Sequence, residues 1–207
     1  MKRLSWIAAL LAVLMLAGCG QKAQTPPPGT EQPVAEAPEE TPVETPPADD
    51  RNPTAAEIGR EETTEMVFSV EGETETIPAT LHIGQGYSIY IPDEGWRLEK
   101  DVDDGIPEEK WESTVNDDVE LRILHLGEKT LAGAQAWVTA EEDDYRLIED
   151  KQGGLGGTDA EDREMLEVRF HSAANAMYAV LYKYPVEAAE GFGARLGQIA
   201  GTFELME

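Results

Sequence analysis

The sequence predicts an α+β domain in which a mostly antiparallel β-sheet packs with two helices. Three observations predict it. Short runs alternate apolar and polar residues between turn residues, two stretches have helical spacing, and strand-like runs far outnumber helical ones. We assign this domain to residues 61–207, a length that can enclose one hydrophobic core.

The first strands are predicted as a hairpin. Apolar residues alternate in 66–70 and again in 77–83, after the polar turn "EGETET". Pro78 lacks an amide hydrogen, so its strand is expected to start late or to lie at an edge. A glycine turn then leads into 87–91, whose inward face carries Tyr87, Ile89 and Ile91.

The middle of the domain is predicted to contain a strand starting at Trp111, a strong strand at 118–126 and a short helix. Thr130 is the expected N-cap of that helix, which carries Leu131, Ala134 and Val138 at helical spacing. A strand at 145–149 and a glycine-rich loop, "KQGGLGGTDAED", follow.

The last part is predicted to form a hairpin, a helix and a terminal strand. Residues 165–171 and 176–184 flank "SAAN", and the second strand is nearly all apolar, which favours a central position. Residues 187–200 place Ala189, Phe192, Leu196 and Ile199 on one helical face, and Phe203 continues into the strand.

Two stretches resemble a known family. "GYSIYIPDEGW" and "YAVLYKYPVEAAEGFGARLGQIAGTFEL" are similar to segments of PsbP-like domains, over residues 81–205. The resemblance implies an α/β/α sandwich and a non-catalytic binding or assembly role. The hairpin at 66–81 lies outside it. The alternative fold is a cystatin-like or nuclear-transport-factor-like cone, in which a curved sheet encloses a pocket.

The N-terminal residues predict export and lipidation. A basic start precedes an apolar run at 4–16, which is too short for a typical membrane span and typical of a signal peptide. Leu16-Ala17-Gly18-Cys19 resembles the lipobox of bacterial lipoproteins. The resemblance implies cleavage after residue 18 and acylation of Cys19, which anchors the protein in the bilayer. We therefore expect a signal peptide at 1–18 and a location at the extracytoplasmic face of a bacterial membrane.

Residues 19–60 are predicted to be a disordered linker that begins with the lipidated cysteine. Nine of the thirteen prolines lie between Pro26 and Pro53, interleaved with Thr, Glu and Ala. Without apolar periodicity, this segment lacks the burial that would offset the entropy of ordering it. Proline density favours an extended spacer.

The charge of the domain restricts its partners. Residues 61–207 contain 34 acidic and 11 basic side chains, a net charge of −23. Such a field repels nucleic acid, so a nucleic-acid partner is not expected. An envelope protein, a peptide or a cationic ligand remains a candidate partner.

No catalytic or metal motif emerges from the sequence. The three histidines lack short metal-ligand spacing, and no Gly-x-Ser-x-Gly elbow occurs. Residues 101–112 fail the EF-hand pattern, although Asp101, Asp103 and Asp104 leave an irregular Ca²⁺ site open. We therefore predict no cofactor, no catalytic residue and no metal ligand.

The aromatic side chains are the remaining site candidates. Tyr90, Trp96 and Trp111 could line a carbohydrate or peptide groove, because flat rings stack on such ligands. Core packing is the competing interpretation. The sequence thus favours a membrane-anchored, non-catalytic binding module, with a small-ligand pocket protein or hydrolase as the alternative.

Overall fold

The computed structural model describes residues 52–70, 72–103 and 105–206, with only the backbone of 101–103. Its strands and helices follow one another along the chain as β1 Thr63–Val70, β2 Glu73–Ile83, β3 Tyr87–Pro92, β4 Trp96–Asp103, β5 Ile106–Ser113, β6 Glu120–His125, α1 Leu131–Glu141, β7 Ile148–Glu149, β8 Leu155–Thr158, β9 Glu164–Ser172, β10 Met177–Pro185, α2 Ala194–Ala200 and β11 Glu204–Leu205.

The predicted fold class is confirmed: the domain is α+β, with antiparallel strand pairing and two α-helices. The strands form two sheets. One has the order β1-β2-β3-β11, and the other has the order β4-β5-β6-β10-β9-β8-β7. The pairs described within both sheets are antiparallel.

The seven-stranded sheet separates two hydrophobic cores. Along β10, Val180 belongs to a core shared with the four-stranded sheet and α2, whereas Leu181 belongs to a core shared with α1. Successive side chains of a strand point to opposite faces, so the two helices lie on opposite faces of this sheet. As predicted, β10 is central, between β6 and β9.

The first hairpin is confirmed, but the position predicted for Pro78 is wrong. β2 starts at Glu73 and pairs with β1 on one side and β3 on the other. Proline is tolerated there because the β2–β3 pairing ends at Ala79, and the Pro78 carbonyl still accepts from the amide of Asp93 at 3.0 Å.

The prediction of a strand starting at Trp111 is wrong, because that residue lies near the end of β5. β4 and β5 form a hairpin along their whole length, with Leu98 opposite Trp111. Most of their side chains are charged, so the alternation that identifies a strand was hidden.

The first helix is confirmed, with Thr130 as its N-cap. The Thr130 hydroxyl accepts from the amide of Gly133 at 3.2 Å, which satisfies one of the free donors of the first turn. Ala134 and Val138 are buried as predicted, whereas Leu131 is exposed.

The glycine-rich loop and the last helix both differ from prediction. Residues 155–158 form β8, which pairs with β7 and β9, while the strand predicted at 145–149 is reduced to β7 and a bridge at Tyr145. The predicted helix at 187–200 begins as a 3₁₀ turn and a π turn, and becomes α-helical at Ala194. A Cβ on Gly193 would lie 2.7 Å from the Tyr184 ring, so glycine permits that close approach.

Part of the predicted linker packs on the domain. Residues 55–59 form a turn, Ala55 is buried, and Asn52 donates to the carbonyl of Ile83 at 3.1 Å. Arg60 donates to the Ser88 hydroxyl at 2.8 Å. The predicted signal peptide, Cys19 and the predicted linker up to residue 51 lie outside the described residues. Neither described helix has the length and hydropathy needed to cross a membrane.

Candidate functional site

The candidate functional site is centred on Glu109 of β5, a carboxylate that faces the interior of the domain. Its neighbour in β6 is Ile123, a member of the core that includes the four-stranded sheet, so Glu109 faces that core. Its side chain is only 17% exposed. Glu109 is therefore a carboxylate held largely away from water.

Three side chains compensate for that burial. His82 of β2 and the Tyr87 hydroxyl of β3 donate to Oε2 of Glu109, the latter at 2.9 Å, and Lys100 Nζ donates to Oε1 at 3.0 Å. Burial alone would raise the pKa of Glu109, but these donors lower it to about 2. The carboxylate is thus ionised at neutral pH and only accepts, so Nε2 of His82 carries the proton of that hydrogen bond.

Tyr87 reaches Glu109 because the preceding turn leaves space for its ring. A Cβ on Gly84 would lie 2.2 Å from that ring, a distance that another residue could not tolerate. Burial, followed by the charge of Glu109, raises the pKa of Tyr87. Its hydroxyl therefore stays a hydrogen-bond donor at neutral pH.

An aromatic cluster surrounds this network. The Tyr87 ring stacks on Phe203 with centroids 5.2 Å apart and meets Tyr178 edge-on at 5.9 Å. All three histidines contact this network or its rings: His82 lies near Tyr87 and Trp111, His125 stacks on Tyr178 at 4.8 Å, and His171 lies 4.4 Å from Phe203.

A hollow of about 210 Å³ opens beside Glu109. We call it the Glu109 hollow. Most of its accessible wall is apolar, and Lys100 is more than half exposed. The residues that line it are Gln85, Tyr87, Lys100, Pro107, Glu108, Glu109, Ile123 and His125. The side chain of Glu108 is bound by Arg122, on the other strand face.

The chemistry of the hollow favours recognition over proton transfer. An efficient general base has a pKa near the working pH, whereas the pKa of Glu109 is about 2. A fixed carboxylate in an apolar wall instead provides one oriented polar contact, as small-ligand sites do.

The three aromatic residues predicted as binding candidates occupy different surroundings. Tyr90 packs under the Arg60 guanidinium, 4.5 Å from its ring centroid, and donates to the carbonyl of Glu61. Trp96 lines a groove of about 100 Å³ with Phe68 and Phe192. Trp111 is 3% exposed and meets His82 edge-on at 5.0 Å, directly beside the Glu109 network.

Sequence reasoning missed the residues of the Glu109 hollow. In the sequence, residues 101–112 leave an irregular Ca²⁺ site open and a strand is expected to start only at Trp111, so the two-residue spacing of Glu109 and Trp111 does not identify a shared strand face. That spacing was the one available signal. The contacts of Glu109 with His82 and Tyr87 come from strands of the other sheet.

A larger cleft of about 570 Å³ lies on the opposite face of the seven-stranded sheet. Its wall is mainly polar, and its cations are already paired: Arg122 with Glu142 at 2.5 Å and Lys183 with Glu120 at 3.7 Å.

Within the described residues, no group of three or more His, Cys, Asp or Glu side chains is placed to hold a metal ion. The side chains proposed for Ca²⁺, at 101, 103 and 104, are not among those that the structure describes.

No protein-family model matches the chain, and no curated protein matches its sequence. Among solved structures, it is similar to the solution structure of cyanobacterial PsbP (CyanoP) from Synechocystis sp. PCC 6803, with 12% identity and a TM-score of 0.42 over 58% of this chain and 86% of that chain. It is also similar to a crystal structure from Bacteroides thetaiotaomicron VPI-5482, with 13% identity and a TM-score of 0.36 over 59% of this chain and 46% of that chain. The first is a PsbP protein, the family that residues 81–205 resemble. At these TM-scores, neither likeness carries a conclusion about function.

Proposed function

We propose that the protein is a lipid-anchored, extracytoplasmic binding module, and that the Glu109 hollow is its ligand site. The observation that carries the binding role is the environment of Glu109. The carboxylate is held ionised by His82, Tyr87 and Lys100 in an apolar wall, which suits it to orienting a ligand and not to exchanging protons.

The binding role is tested by screening envelope-derived small molecules and peptides for an increase in Tm. A ligand of the hollow raises the Tm of the wild-type protein and has little effect on Glu109→Gln. The ligand is then recovered and its mass is measured. Recovery of chemically altered ligand, or equal stabilisation of both proteins by every ligand, would contradict the proposal.

The anchoring part of the proposal is supported by the lipobox-like Leu16-Ala17-Gly18-Cys19. It is tested by comparing the wild-type protein with Cys19→Ser in a bacterial host. We expect the wild-type protein in the membrane fraction with incorporated fatty acid, and the variant without the lipid label. Unchanged labelling of Cys19→Ser would exclude this anchor.

A further inference from the structure

The contacts of Glu109 distinguish its two oxygens. Oε2 accepts from buried Tyr87 and from partly buried His82, whereas Oε1 accepts from exposed Lys100. A carboxylate oxygen can accept about two hydrogen bonds, and within the described residues Oε1 has only this one donor. Oε1 is therefore the side of the carboxylate that is available to a ligand.

The contact with Lys100 shows that Oε1 of Glu109 binds an ammonium group. Its ammonium lies 3.0 Å from Oε1, on a side chain that is 59% exposed. A flexible, exposed lysine loses side-chain entropy when it is held in one geometry, so this contact contributes little to stability. An ammonium group from outside can exchange with it at small cost.

The surroundings favour a cation over an anion. The domain carries 34 acidic and 11 basic residues, and the Lys100 charge is already neutralised by Glu109. Tyr87 and His125 contribute aromatic walls, and Pro107 and Ile123 contribute apolar ones. Aromatic faces attract ammonium groups, and apolar walls bury the stem that carries them.

We infer that the Glu109 hollow binds an organic ammonium group on a short apolar or aromatic stem, in exchange for Lys100. This inference rests on the proposed function and specifies its ligand class. A free amine and a lysine side chain of a partner peptide share this chemistry.

The test uses three probes with the same body and different heads: 2-phenylethylammonium, 2-phenylethanol and 3-phenylpropionate. Calorimetric titration of the wild-type protein should favour the ammonium probe over the alcohol by about tenfold or more, because the hydroxyl can donate to the carboxylate but lacks the positive charge that strengthens this hydrogen bond. Equal binding of these two probes, preference for the propionate or no binding of any probe would overturn the inference.

Two variants test whether Glu109 and Lys100 determine the preference for the ammonium probe. Glu109→Gln should remove the preference for ammonium, and a melting curve establishes whether this variant is folded. Lys100→Met should raise the affinity for ammonium severalfold because it removes the internal competitor. This prediction holds even if Glu109→Gln fails to fold.

Lys110→Met is the matched control for charge. Lys110 neighbours Glu109 in β5, and its ammonium lies 2.7 Å from Glu112. Because Lys110 lies on the other strand face, its loss should change ammonium affinity much less than Lys100→Met. An equal gain in both variants would show a general charge effect and would overturn the inference.

Two further titrations distinguish the sources of the ammonium group. A short peptide with one lysine is compared with the same peptide acetylated at that lysine. Stronger binding of the unmodified peptide than of the free amine indicates a partner's side chain, and the reverse indicates a small molecule. If a ligand from the Tm screen binds through Glu109 but lacks an ammonium group, the inference fails while the proposed function stands.

Discussion

Glu108 and Glu109 are neighbours in β5, but they face opposite sides of the seven-stranded sheet. Glu108 accepts from Nε and Nη2 of Arg122 at 2.8 and 3.3 Å, and Arg122 also reaches Glu142. Glu109 accepts from His82, Tyr87 and an exposed lysine. The Glu108 carboxylate is bound on both oxygens by one guanidinium, whereas Glu109 is bound on one oxygen by an exposed lysine that a ligand can replace.

This difference teaches how two adjacent glutamates of one strand take different roles. Arg122 is a planar, two-pronged donor that binds both oxygens of Glu108 and is itself only 21% exposed, so it is held more firmly than a lysine. Lys100 is a single flexible donor. We therefore interpret the Glu108 side as structural and the Glu109 side as the ligand-binding side.

The largest effect is expected on the Glu108 side. Arg122→Met would leave Glu108 and Glu142 without their shared cation, and both carboxylates are less than one-fifth exposed. We expect the free energy of unfolding to fall by about 3–5 kcal/mol, measured by urea denaturation at pH 7. A loss below about 1 kcal/mol would remove the structural role assigned to this side.

The next effect is on the Glu109 side. Glu109→Gln keeps the shape of the side chain but removes the charge that accepts from three donors. We expect a loss of about 1–3 kcal/mol in the same measurement, since a neutral amide is a poorer acceptor for these groups. Glu99→Gln, at a half-exposed site in β4, is the control and should change stability by much less. A larger loss than in Arg122→Met would reverse the comparison.

The pH dependence sharpens the comparison for Glu109. Its folded-state pKa of about 2 lies below the ordinary 4.5, so the ionised form is favoured in the folded protein. Its contribution to stability is complete above pH 4.5 and is lost as the pH falls towards 2. The difference in Tm between the wild-type protein and Glu109→Gln should therefore shrink over this interval. A constant difference from pH 7 to pH 2.5 would be inconsistent with this assignment.

A smaller effect is expected at Glu167, a carboxylate held by two tyrosines on the same sheet face as Glu109. Tyr182 and Tyr184 donate to its two oxygens at 2.7 and 2.6 Å. Tyr182→Phe removes one donor and should cost about 1–2 kcal/mol of unfolding free energy. Because Glu167 has no role in the Glu109 hollow, ammonium binding should stay unchanged. Loss of binding in this folded variant would show that the hollow extends further than its described lining.

The smallest effect is expected for an exposed ion pair. Arg97 pairs with Glu112 on the β4–β5 hairpin, and its side chain is 64% exposed. Arg97→Met should change the free energy of unfolding by less than about 1 kcal/mol, because water and salt screen the pair. A loss as large as that of Arg122→Met would mean that burial does not separate the two kinds of ion pair.

The sequence predicted a strand or helix correctly where its signal lies in neighbouring residues of the chain. The apolar alternation of β3, the hydroxyl of Thr130 before α1 and the apolar run of β10 each depend on neighbouring residues, and each was predicted correctly. The β4–β5 hairpin was not predicted, because most of its residues are charged and no apolar alternation marks its strands. The last helix was predicted correctly only in its second half, at 194–200, since its first half forms a 3₁₀ turn and a π turn.

The sequence alone determined the α+β class, the order of most strands and the acidic character of the domain, because periodicity and charge are properties of the chain. Only the tertiary structure decided the site. His82, Tyr87, Lys100 and Glu109 lie on four strands of two sheets, and no local pattern relates their spacing. Burial alone does not distinguish Glu109, because the Glu108 side chain is even less exposed. Glu109 is distinguished by its donors, which come from strands of both sheets and which a charge removed from water requires.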